Sequence, residues 1–500
     1  MEQLLEAIKK NSDVRNNLIE LRRRLKEPGQ MEKFLSLLEP MEVCFQRLLR
    51  QEDPKVRKNA ALLIGDLQQE DLLMDLYQAY ENEATLFVRS SYLKAMLKID
   101  VTPVLDGLKR RQEAMERQEP GQEEQKHYRE ELSLLRQVLS QYQKKEVHAF
   151  TGFGEAYDVV LTTNPMHREI TARQIKKGQT ALWPFGLRVR GGDLKELQKI
   201  RTYQELLFVL RLSRVEEDPV RAAESLASSG LWQLLQKAHK RAEQFYFRIT
   251  IVGPMTLEER SNYCKKCSFA LEGLMGKRLR NDPSDYEIEI RLMERRDGTF
   301  LPLVKLHTLK DTRFSYRKYS LPVSIKPSGA ALVAALASPW MKKGGQVLDP
   351  FCGVGTMLIE RDKAKEAGPM YGIDTFGEAI KGARENTYLA GKEINYIHRD
   401  FFDFTHGYLF DEIITNMPVR GKRTKEEQEA FYRNFFRKAK EVLKPNGIMV
   451  LHSNEKGYIR KEIRLQEAWK LINEYNLDEK EGISVYIIGR KDGHHNEDRA

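Results

Sequence analysis

Cysteine is scarce in this chain, which has four cysteines among 500 residues. So small a number argues against a disulfide framework and predicts a reducing compartment, the cytoplasm. Cys264 and Cys267 form a CxxC motif, but there is no second pair, so a core or surface thiol pair is favoured over a zinc site. The ten histidines form no HxxxH or HExxH array, and we expect no metal.

Long apolar segments are also missing. No run approaches the ~18 apolar residues of a membrane-spanning helix, and the first residues, Met-Glu-Gln-Leu-Leu, do not have the pattern of a signal peptide. Hydrophobic residues make up 41% of the chain and charged residues 31%, which is typical of globular proteins, so we expect no membrane association. The net charge of +10 suits a polyanionic partner without proving one.

Residues 1–145 carry a helical pattern throughout and contain an internal repeat. The segment 54–67 aligns with 86–99 at an offset of 32 residues, a period at which helix pairs are typical of HEAT-type repeats. The matched apolar pairs are Val56 with Val88, Ile64 with Met96, and Leu67 with Ile99. The sequence therefore predicts an all-α, HEAT-like domain. A spacer or docking arm is favoured, and a groove that binds RNA or a protein partner is the alternative.

After residue 145 the pattern changes to strands and short helices, which predicts an α+β middle region. Residues 245–252 form a clear strand, and Thr256 with Glu259 forms a capping box for the next helix. Asp297-Gly298 predicts a hairpin between two further strands. The polar segment 492–500 is predicted to be disordered.

The segment 346–360 is the most informative part of the chain. Val347 and Leu348 end a short apolar run, as a buried strand does, and Gly353 and Gly355 then permit a tight turn close to a ligand. Apolar periodicity resumes at Met357, so a helix is predicted to begin there. A strand, a glycine turn and a helix N-terminus form a pocket of inward-pointing N–H groups for a nucleotide-type ligand.

A glycine turn of this kind is compatible with two nucleotide-type ligands, a dinucleotide and S-adenosylmethionine. The dinucleotide fingerprint requires a third glycine three residues after Gly355, but Leu358 occupies that position. The S-adenosylmethionine turn of class I methyltransferases instead has an acidic residue just before the glycines, and Asp349 fills that place. The cofactor S-adenosylmethionine is therefore favoured over a plain α/β core.

Three later signals support the same interpretation because each follows a predicted strand. Asp374 is placed to accept hydrogen bonds from ribose hydroxyls, and Asp400 to accept one from the adenine amino group, with Phe401 beside the ring. The fourth strand leads into the loop Asn416-Met417-Pro418. Further on, we predict a helix over 426–443, a fifth strand over 448–452, a helix over 463–475 and an antiparallel last strand over 484–488.

The motifs Leu348-Asp-Pro-Phe-Cys-Gly-Val-Gly-Thr356 and Thr415-Asn-Met-Pro-Val-Arg-Gly421 resemble the catalytic domain of THUMP-domain RNA methyltransferases. That family methylates the exocyclic amine (N2) of guanosine, chiefly in tRNA. The resemblance covers 157–491. It implies a ferredoxin-like adaptor over 146–244, a THUMP-like RNA-binding domain over 245–320 and a Rossmann-like methyltransferase domain with a seven-stranded sheet over 321–491. The cofactor-binding residues are then Lys326, Pro327, Asp349, Phe351, Gly353, Gly355, Thr356, Asp374, Asp400 and Phe401.

In this interpretation the residues Asn416, Met417 and Pro418 are catalytic. The side-chain carbonyl of Asn416 and the backbone carbonyl of Met417 accept the two amine hydrogens, and Pro418 stiffens the loop. The family commonly has an aromatic residue next, which stacks on the target base, but this chain has Val419. Because such stacking contributes ~1–3 kcal/mol, we expect a substitute, namely Arg420, Phe431 or Tyr432, or else weak turnover or a different acceptor.

Two basic stretches are candidates for RNA contact, since cations meet phosphates and aromatic rings stack on bases. The first is interleaved with Phe314, Tyr316 and Tyr319, and the second directly follows the asparagine loop. The alternative is a solvated surface. The predicted RNA-binding residues are Lys310, Arg313, Arg317, Lys318, Arg420, Lys422 and Arg423.

Three alternatives remain open from the sequence. One is an enzyme of the same fold that acts on ribosomal RNA or on adenine N6. Another is a non-catalytic RNA-binding protein with a vestigial cofactor pocket, which Val419 and the repeats motivate. The third is a protein scaffold that uses the helical repeats.

Overall fold

The computed structural model describes residues 2–27, 29–35, 42–117, 121, 125–142, 147–240 and 242–491. The chain divides into two compact units, Met1–Val147 and His148–Ala500. The predicted domain boundary at residue 145 and the predicted disordered segment 492–500 lie outside the described residues. Among the described helices, none combines the length and the apolar character that crossing a bilayer demands.

The first unit is helical over its described residues. Apolar side chains are buried at intervals of three or four residues, as with Val14, Leu18, Leu21 and Leu25 of one helix. The matched residues of the predicted repeat are buried in both segments, while the HEAT-type assignment stays a prediction. The helices are α1 (Glu2–Lys9), α2 (Val14–Leu25), α3 (Gln30–Leu35), α4 (Glu42–Leu49), α5 (Pro54–Asp66), α6 (Leu73–Asn82), α7 (Leu86–Met96), α8 (Leu105–Glu116) and α9 (Gln125–Ser140).

The second unit begins with eight strands and five helices. The strands are β1 (Tyr157–Thr162), β2 (Gln179–Trp183), β3 (Gly186–Gly192), β4 (Leu206–Val209), β5 (Phe245–Val252), β6 (Leu279–Asn281), β7 (Ile288–Glu294) and β8 (Phe300–Leu306). The helices are α10 (Arg168–Ala172), α11 (Leu194–Leu197), α12 (Pro219–Ser228), α13 (Leu231–Ala238) and α14 (Leu257–Met275). The predicted capping box of Thr256 and Glu259 is confirmed at the start of α14, and the predicted hairpin joins β7 to β8.

These eight strands form one sheet in the order β2-β3-β1-β4-β8-β7-β5-β6. The antiparallel pairing of β4 with β8 connects the segments predicted as an adaptor and as a THUMP-like domain. The two domain assignments stay predictions. What the structure adds is that their strands share one hydrogen-bonded sheet.

The rest of the second unit forms a separate seven-stranded sheet, as predicted. Its strands are β9 (Val347–Asp349), β10 (Met370–Asp374), β11 (Asn395–His398), β12 (Phe410–Asn416), β13 (Leu443–Ser453), β14 (Trp469–Asp478) and β15 (Ile483–Arg490). The helices are α15 (Pro327–Ala337), α16 (Thr356–Ala364), α17 (Gly377–Leu389), α18 (Lys425–Val442) and α19 (Lys456–Leu465). The strand order is β11-β10-β9-β12-β13-β15-β14, and β15 is antiparallel to both of its neighbours.

The helix predicted over 463–475 is wrong. The chain instead ends α19 at Leu465 and forms β14 from Trp469. The apolar residues Leu471, Ile472 and Tyr475 fit a helical spacing as well as a strand, so periodicity alone does not decide. Pairing with β15 over eight residue pairs decides in favour of the strand.

Side-chain contacts fasten the first sheet's module to the second. Arg201 forms a bidentate pair with Glu360 of α16 at 2.7 and 2.6 Å, and the Tyr316 hydroxyl donates to the same carboxylate at 2.7 Å. On the far strand, Asn164 Nδ2 donates to the carbonyl of Leu477, and a ring nitrogen of His167 contacts the carbonyl of Asn476, both at 2.8 Å. The module that precedes the second sheet is thus fixed to it at two places.

Candidate active site

The candidate site lies where parallel strands end. In the parallel register Gly372 of β10 lies opposite Asp349 of β9, and Ile413 of β12 lies opposite Leu348. The last residues of β9, β10 and β12 are Asp349, Asp374 and Asn416. Because parallel strands end at the same edge, these three polar residues meet at the carboxyl edge of the sheet, where open α/β sheets bind ligands.

The glycine turn is held against this edge by hydrogen bonds. The Gly353 N–H donates to Oδ2 of Asp374 at 2.9 Å, and the Cys352 N–H donates to the carbonyl of Ile373 at 2.9 Å. Gly353 and Gly355 have φ values of +51° and +81°, which side chains rarely tolerate. A Cβ added at Gly353 would meet no atom within 4 Å, so open space lies in front of that residue.

We expect Gly355→Ala to destabilise the protein more than Gly353→Ala does. Both substitutions force a side chain into the left-handed region, at about 1–2 kcal/mol each. Only the substitution at Gly355 also causes a steric clash, because its Cβ would lie 2.3 Å from the hydroxyl of buried Tyr396. Urea denaturation should show a loss of about 1–2 kcal/mol for Gly353→Ala and a larger loss for Gly355→Ala. Equal losses would mean that Tyr396 moves freely aside.

The two carboxylates at this edge differ in their surroundings. Asp349 is only 1% exposed, and its burial raises the pKa of the carboxyl to about 7. Asp374 is partly exposed, and its oxygens accept hydrogen bonds from the backbone N–H groups of Gly353 and Phe376. Asp349 is therefore a buried residue beneath the turn, whereas the carboxylate of Asp374 is accessible to a ligand.

The residues present fit an adenosyl cofactor. The Thr356 hydroxyl, at the N-terminus of α16, is buried without a hydrogen-bond partner among the described residues. Asp400 is exposed and uses one oxygen to cap the Phe402 N–H at 2.9 Å. Together with the open face of Gly353 and the carboxylate of Asp374, these groups offer a polar cradle for a nucleoside.

One predicted cofactor residue is corrected. Phe401 is 1% exposed and packs against Phe351 and Phe435, with ring centroids 5.9 Å apart in both cases, so it has no free face for adenine. Its neighbour Phe402 is partly exposed. Lys326 occupies the N-cap position of α15 and is exposed, and Pro327 is the buried first residue of that helix. The contact of this pair with the cofactor stays a prediction.

The asparagine loop is anchored by a histidine that sequence reasoning missed. Nδ1 of His452 donates to Oδ1 of Asn416 at 2.6 Å, and the Met417 N–H donates to the carbonyl of His452 at 2.9 Å. Burial lowers the pKa of His452 from 6.5 to about 4, so the ring is neutral near pH 7. No sequence motif marks this histidine, because its contact with Asn416, 36 residues away, depends on the pairing of β12 with β13.

Of the three predicted substitutes for the loop's missing aromatic residue, exposed Arg420 stays a prediction and the two aromatic residues differ in burial. Val419 is 59% exposed. Tyr432 is excluded as a stand-in because it is fully buried and its hydroxyl contacts Ser453. Phe431 is partly exposed and carries the guanidinium of Arg423 over its ring at 4.3 Å. This Phe431–Arg423 pair presents a flat surface near the loop.

Arg313 is corrected from an RNA contact to a structural residue. It is 6% exposed, and its guanidinium donates to the backbone carbonyls of Ile200, Tyr203 and Gln204 and to the carboxylate of Asp311. All of its hydrogen-bonding capacity is used inside the protein. The basic-aromatic pattern does not separate a phosphate-binding arginine from one that binds carbonyls.

The remaining predicted RNA-binding residues differ in their exposure to solvent. Lys310, Lys318, Arg420 and Lys422 are exposed. Arg317 is half-buried, its Nε has no hydrogen-bond partner among the described residues, and burial lowers the pKa of the guanidinium.

Asn386 is a second residue that sequence reasoning missed. It is fully buried on α17, donates to the carbonyls of Tyr319 and Val354, and accepts from the N–H groups of Lys318 and Tyr319. It therefore ties the linker before the second sheet to the glycine turn. An asparagine inside a helical pattern is a weak signal of such a role.

The strand order, the glycine turn and the acidic residues at the carboxyl edge define a class I methyltransferase fold with a site for S-adenosylmethionine. Residues 315–481 match the family described as UPF0020, an RMKL-like methyltransferase domain. This part of the chain is therefore similar to a methyltransferase domain, and the predicted methyltransferase and its cofactor S-adenosylmethionine are confirmed at this level.

Two similar proteins extend the comparison. The tRNA (guanine(10)-N2)-dimethyltransferase of Methanothermobacter thermautotrophicus is 27% identical over 184 residues, which are 35% of this chain and 52% of that enzyme. The chain thus spans about half the length of this curated relative. The crystal structure of TrmN from Thermus thermophilus has a TM-score of 0.51 and 21% identity, covers 67% of this chain and 99% of TrmN, and shows the shared fold.

Proposed function

We propose that this chain transfers a methyl group from S-adenosylmethionine to the exocyclic amine N2 of a guanosine in RNA, and that the RNA is a tRNA. The observation that carries this proposal is Asn416, whose side-chain oxygen is oriented by His452 at the edge that bears the glycine turn. The guanine-N2 activity of the curated relative and the positive net charge of +10 also support it.

The chain's own residues supply the cofactor site. Asp374, Asp400 and the open turn at Gly353 would hold the nucleoside part of S-adenosylmethionine, and Lys326 and Pro327 would border its methionine part. When bound, this cofactor supplies an already activated methyl group, so the protein needs only to position the acceptor nitrogen. Holding two reactants in line contributes ~7–11 kcal/mol to lowering a barrier.

Asn416 has the acceptor capacity that this positioning requires. A carbonyl oxygen has two lone pairs, and His452 uses one of those on Oδ1. The second accepts a hydrogen of the guanine amine, and the backbone carbonyl of Met417 accepts the other. The nitrogen lone pair is then directed at the methyl group. Pro418 contributes no backbone N–H that would compete for these carbonyls.

Exposed cations before the second sheet and after the asparagine loop are proposed to contact the RNA backbone. Lys310 and Lys318 precede the second sheet, and Arg420 and Lys422 follow the asparagine loop. Arg317 adds a half-buried guanidinium whose Nε lacks a partner among the described residues. The Arg423–Phe431 pair is proposed to take the place of the missing aromatic residue beneath the target base.

Methyl transfer to RNA tests the proposal directly. The protein is incubated with S-adenosylmethionine carrying a tritiated methyl group and with unmodified tRNA transcripts, and the labelled nucleosides are separated. We expect N2-methylguanosine. Label in N6-methyladenosine, or label only when ribosomal RNA is supplied, would contradict the assigned substrate. Strong RNA binding with no calorimetric signal for S-adenosylmethionine would favour a vestigial pocket instead.

We expect acidification to destabilise the protein through His452. Its pKa is about 4 in the folded state against an ordinary 6.5, so the unfolded chain binds a proton that the folded chain does not. Stability is therefore full above about pH 6.5 and falls by at most about 3 kcal/mol as the pH drops to about 4. Urea denaturation of wild type and His452→Asn across this range measures the loss.

The difference between these two proteins isolates the histidine, because Asp349 and the other carboxylates titrate in both. Asparagine keeps a donor for Asn416 but does not titrate. Wild type should lose more stability than His452→Asn as the pH falls. Parallel losses would show that His452 is not buried in its neutral form.

A further inference from the structure

A cavity of about 670 Å³ lies in the second unit, away from the glycine turn. Its walls come from α10 and the segment before β4 on one side, and from α15 and α16 on the other. Lys363 on its wall follows Thr356 by seven residues of α16, which is about 10 Å along the helix. The cavity is therefore separate from the cofactor site but belongs to the same rigid helix.

The cavity has an excess of positive charge. Its lining contains one carboxylate, Glu360, and five cations, which are Arg173, Lys199, Arg201, Lys363 and Lys365. Glu360 is fully buried and committed to Arg201 at 2.6 Å. Lys199 contacts Glu196 at 2.5 Å, and Lys365 donates to the carbonyls of Ser338 and Met341 at 2.8 and 2.9 Å.

Two of these cations lack an ion-pair partner among the described residues. Arg173 and Lys363 are exposed and form no ion pair within the part of the chain that the structure describes. Partial burial and the repulsion of Arg201 lower the pKa of Lys363, while Glu360 and Asp362 act in the opposite direction. A cavity lined by more cations than carboxylates fits a phosphate-bearing ligand.

The remaining walls suit a ligand larger than a single phosphate. Ala331, Ala335 and Pro339 contribute apolar surface to the same lining. A sugar or base can lie on such a surface while the flanking cations meet phosphates. The volume of about 670 Å³ also exceeds what one inorganic anion would fill.

We infer that this cavity binds the phosphodiester backbone of the RNA substrate, with Arg173 and Lys363 as phosphate contacts. The inference rests on the proposed function for its choice of RNA. It adds a second RNA-binding site near the C-terminal end of α16. The RNA would then contact the protein near both ends of the helix that begins at the glycine turn.

The test is RNA affinity in the double variant Arg173→Ala/Lys363→Ala of the full chain. Fluorescence anisotropy with a labelled unmodified tRNA transcript is measured between about 50 and 200 mM salt. We expect binding about tenfold weaker and a salt slope smaller by about two, one per lost phosphate contact. The matched control, Lys343→Ala/Arg464→Ala, removes the same charges from exposed positions outside the cavity lining and should bind as wild type does.

Equal affinity and equal salt slope in the two double variants would overturn the inference. Calorimetry with inorganic pyrophosphate tests whether the cavity binds a free phosphate compound instead of RNA. Pyrophosphate binding that the cavity variant loses, with unchanged RNA affinity, would overturn the RNA assignment in favour of a free phosphate compound. RNA affinity that depends on the cavity, with no methyl transfer by wild type, would support this site while contradicting the proposed function.

Discussion

Replacing Asn416 with alanine should lower the rate constant of methyl transfer by a factor of about 10²–10³, the usual cost of removing one positioning hydrogen bond from a transition state. The substitution removes the carbonyl oxygen that is proposed to accept an amine hydrogen, and it leaves the glycine turn and the carboxylate of Asp374 in place. The dissociation constant of S-adenosylmethionine should therefore change by less than about twofold. Single-turnover transfer of a tritiated methyl group to tRNA, with calorimetry of the cofactor, measures both quantities.

Two further variants test whether the loss of activity comes from the missing acceptor oxygen. Asn416→Asp keeps an acceptor oxygen within reach of His452, so we expect it to retain more activity than the alanine variant. Asn395→Ala removes an exposed asparagine from the start of β11, at the opposite edge of the sheet, and should leave the rate unchanged. A rate for Asn416→Ala within about threefold of wild type would remove this residue from the mechanism.

The alanine variant also leaves a buried polar group unsatisfied, since Nδ1 of His452 loses its partner. Such a loss costs about 1–3 kcal/mol of stability. Thermal unfolding therefore has to accompany the kinetics. A folded Asn416→Ala protein that binds the cofactor but does not transfer the methyl group distinguishes a lost function from a lost fold.

The parts of the site that the sequence predicts are those encoded locally. A glycine turn after a short apolar strand needs only neighbouring residues, so Gly353, Gly355 and the helix that starts at Thr356 are evident from the chain itself. The acidic residues at the ends of β9 and β10 follow from the same logic, because a strand ends where its apolar run ends.

The parts that it does not predict depend on contacts between distant residues. Arg313 has the same side chain as a phosphate-binding arginine, and only the fold brings the carbonyls of Ile200 and Tyr203 around it. Phe401 is buried against Phe435 of α18 while its neighbour Phe402 stays partly exposed, and the sequence does not distinguish the two. His452 lies beside Asn416 only because β12 and β13 pair in parallel with this register.

Replacing Arg361 with methionine should lower the free energy of unfolding by about 3–5 kcal/mol. Arg361 of α16 and Glu412 of β12 are 0% and 1% exposed, and two hydrogen bonds of 2.9 and 2.6 Å join them. Both side chains also hold Lys342, whose N–H donates to Glu412 at 2.6 Å and whose carbonyl accepts from Arg361 at 2.9 Å. The methionine variant leaves the Glu412 carboxylate buried without its cation, which is the costly part of the change.

A double-mutant cycle separates that cost from the value of the pair itself. Arg361→Met/Glu412→Leu removes both charges, so it should be more stable than Arg361→Met alone, although Lys342 still loses two hydrogen bonds. Arg433→Met breaks an exposed pair with Glu429 and should cost no more than about 0.5 kcal/mol. Urea denaturation followed by tryptophan fluorescence measures these variants together with the second single variant, Glu412→Leu, and Trp469 is buried within the same sheet. A double variant as unstable as the sum of its single variants would mean that the ion pair contributes through packing alone.

The pair joins the helix that begins at the glycine turn to the strand that ends at Asn416. One buried contact therefore helps to fix the proposed cofactor site relative to the proposed acceptor site.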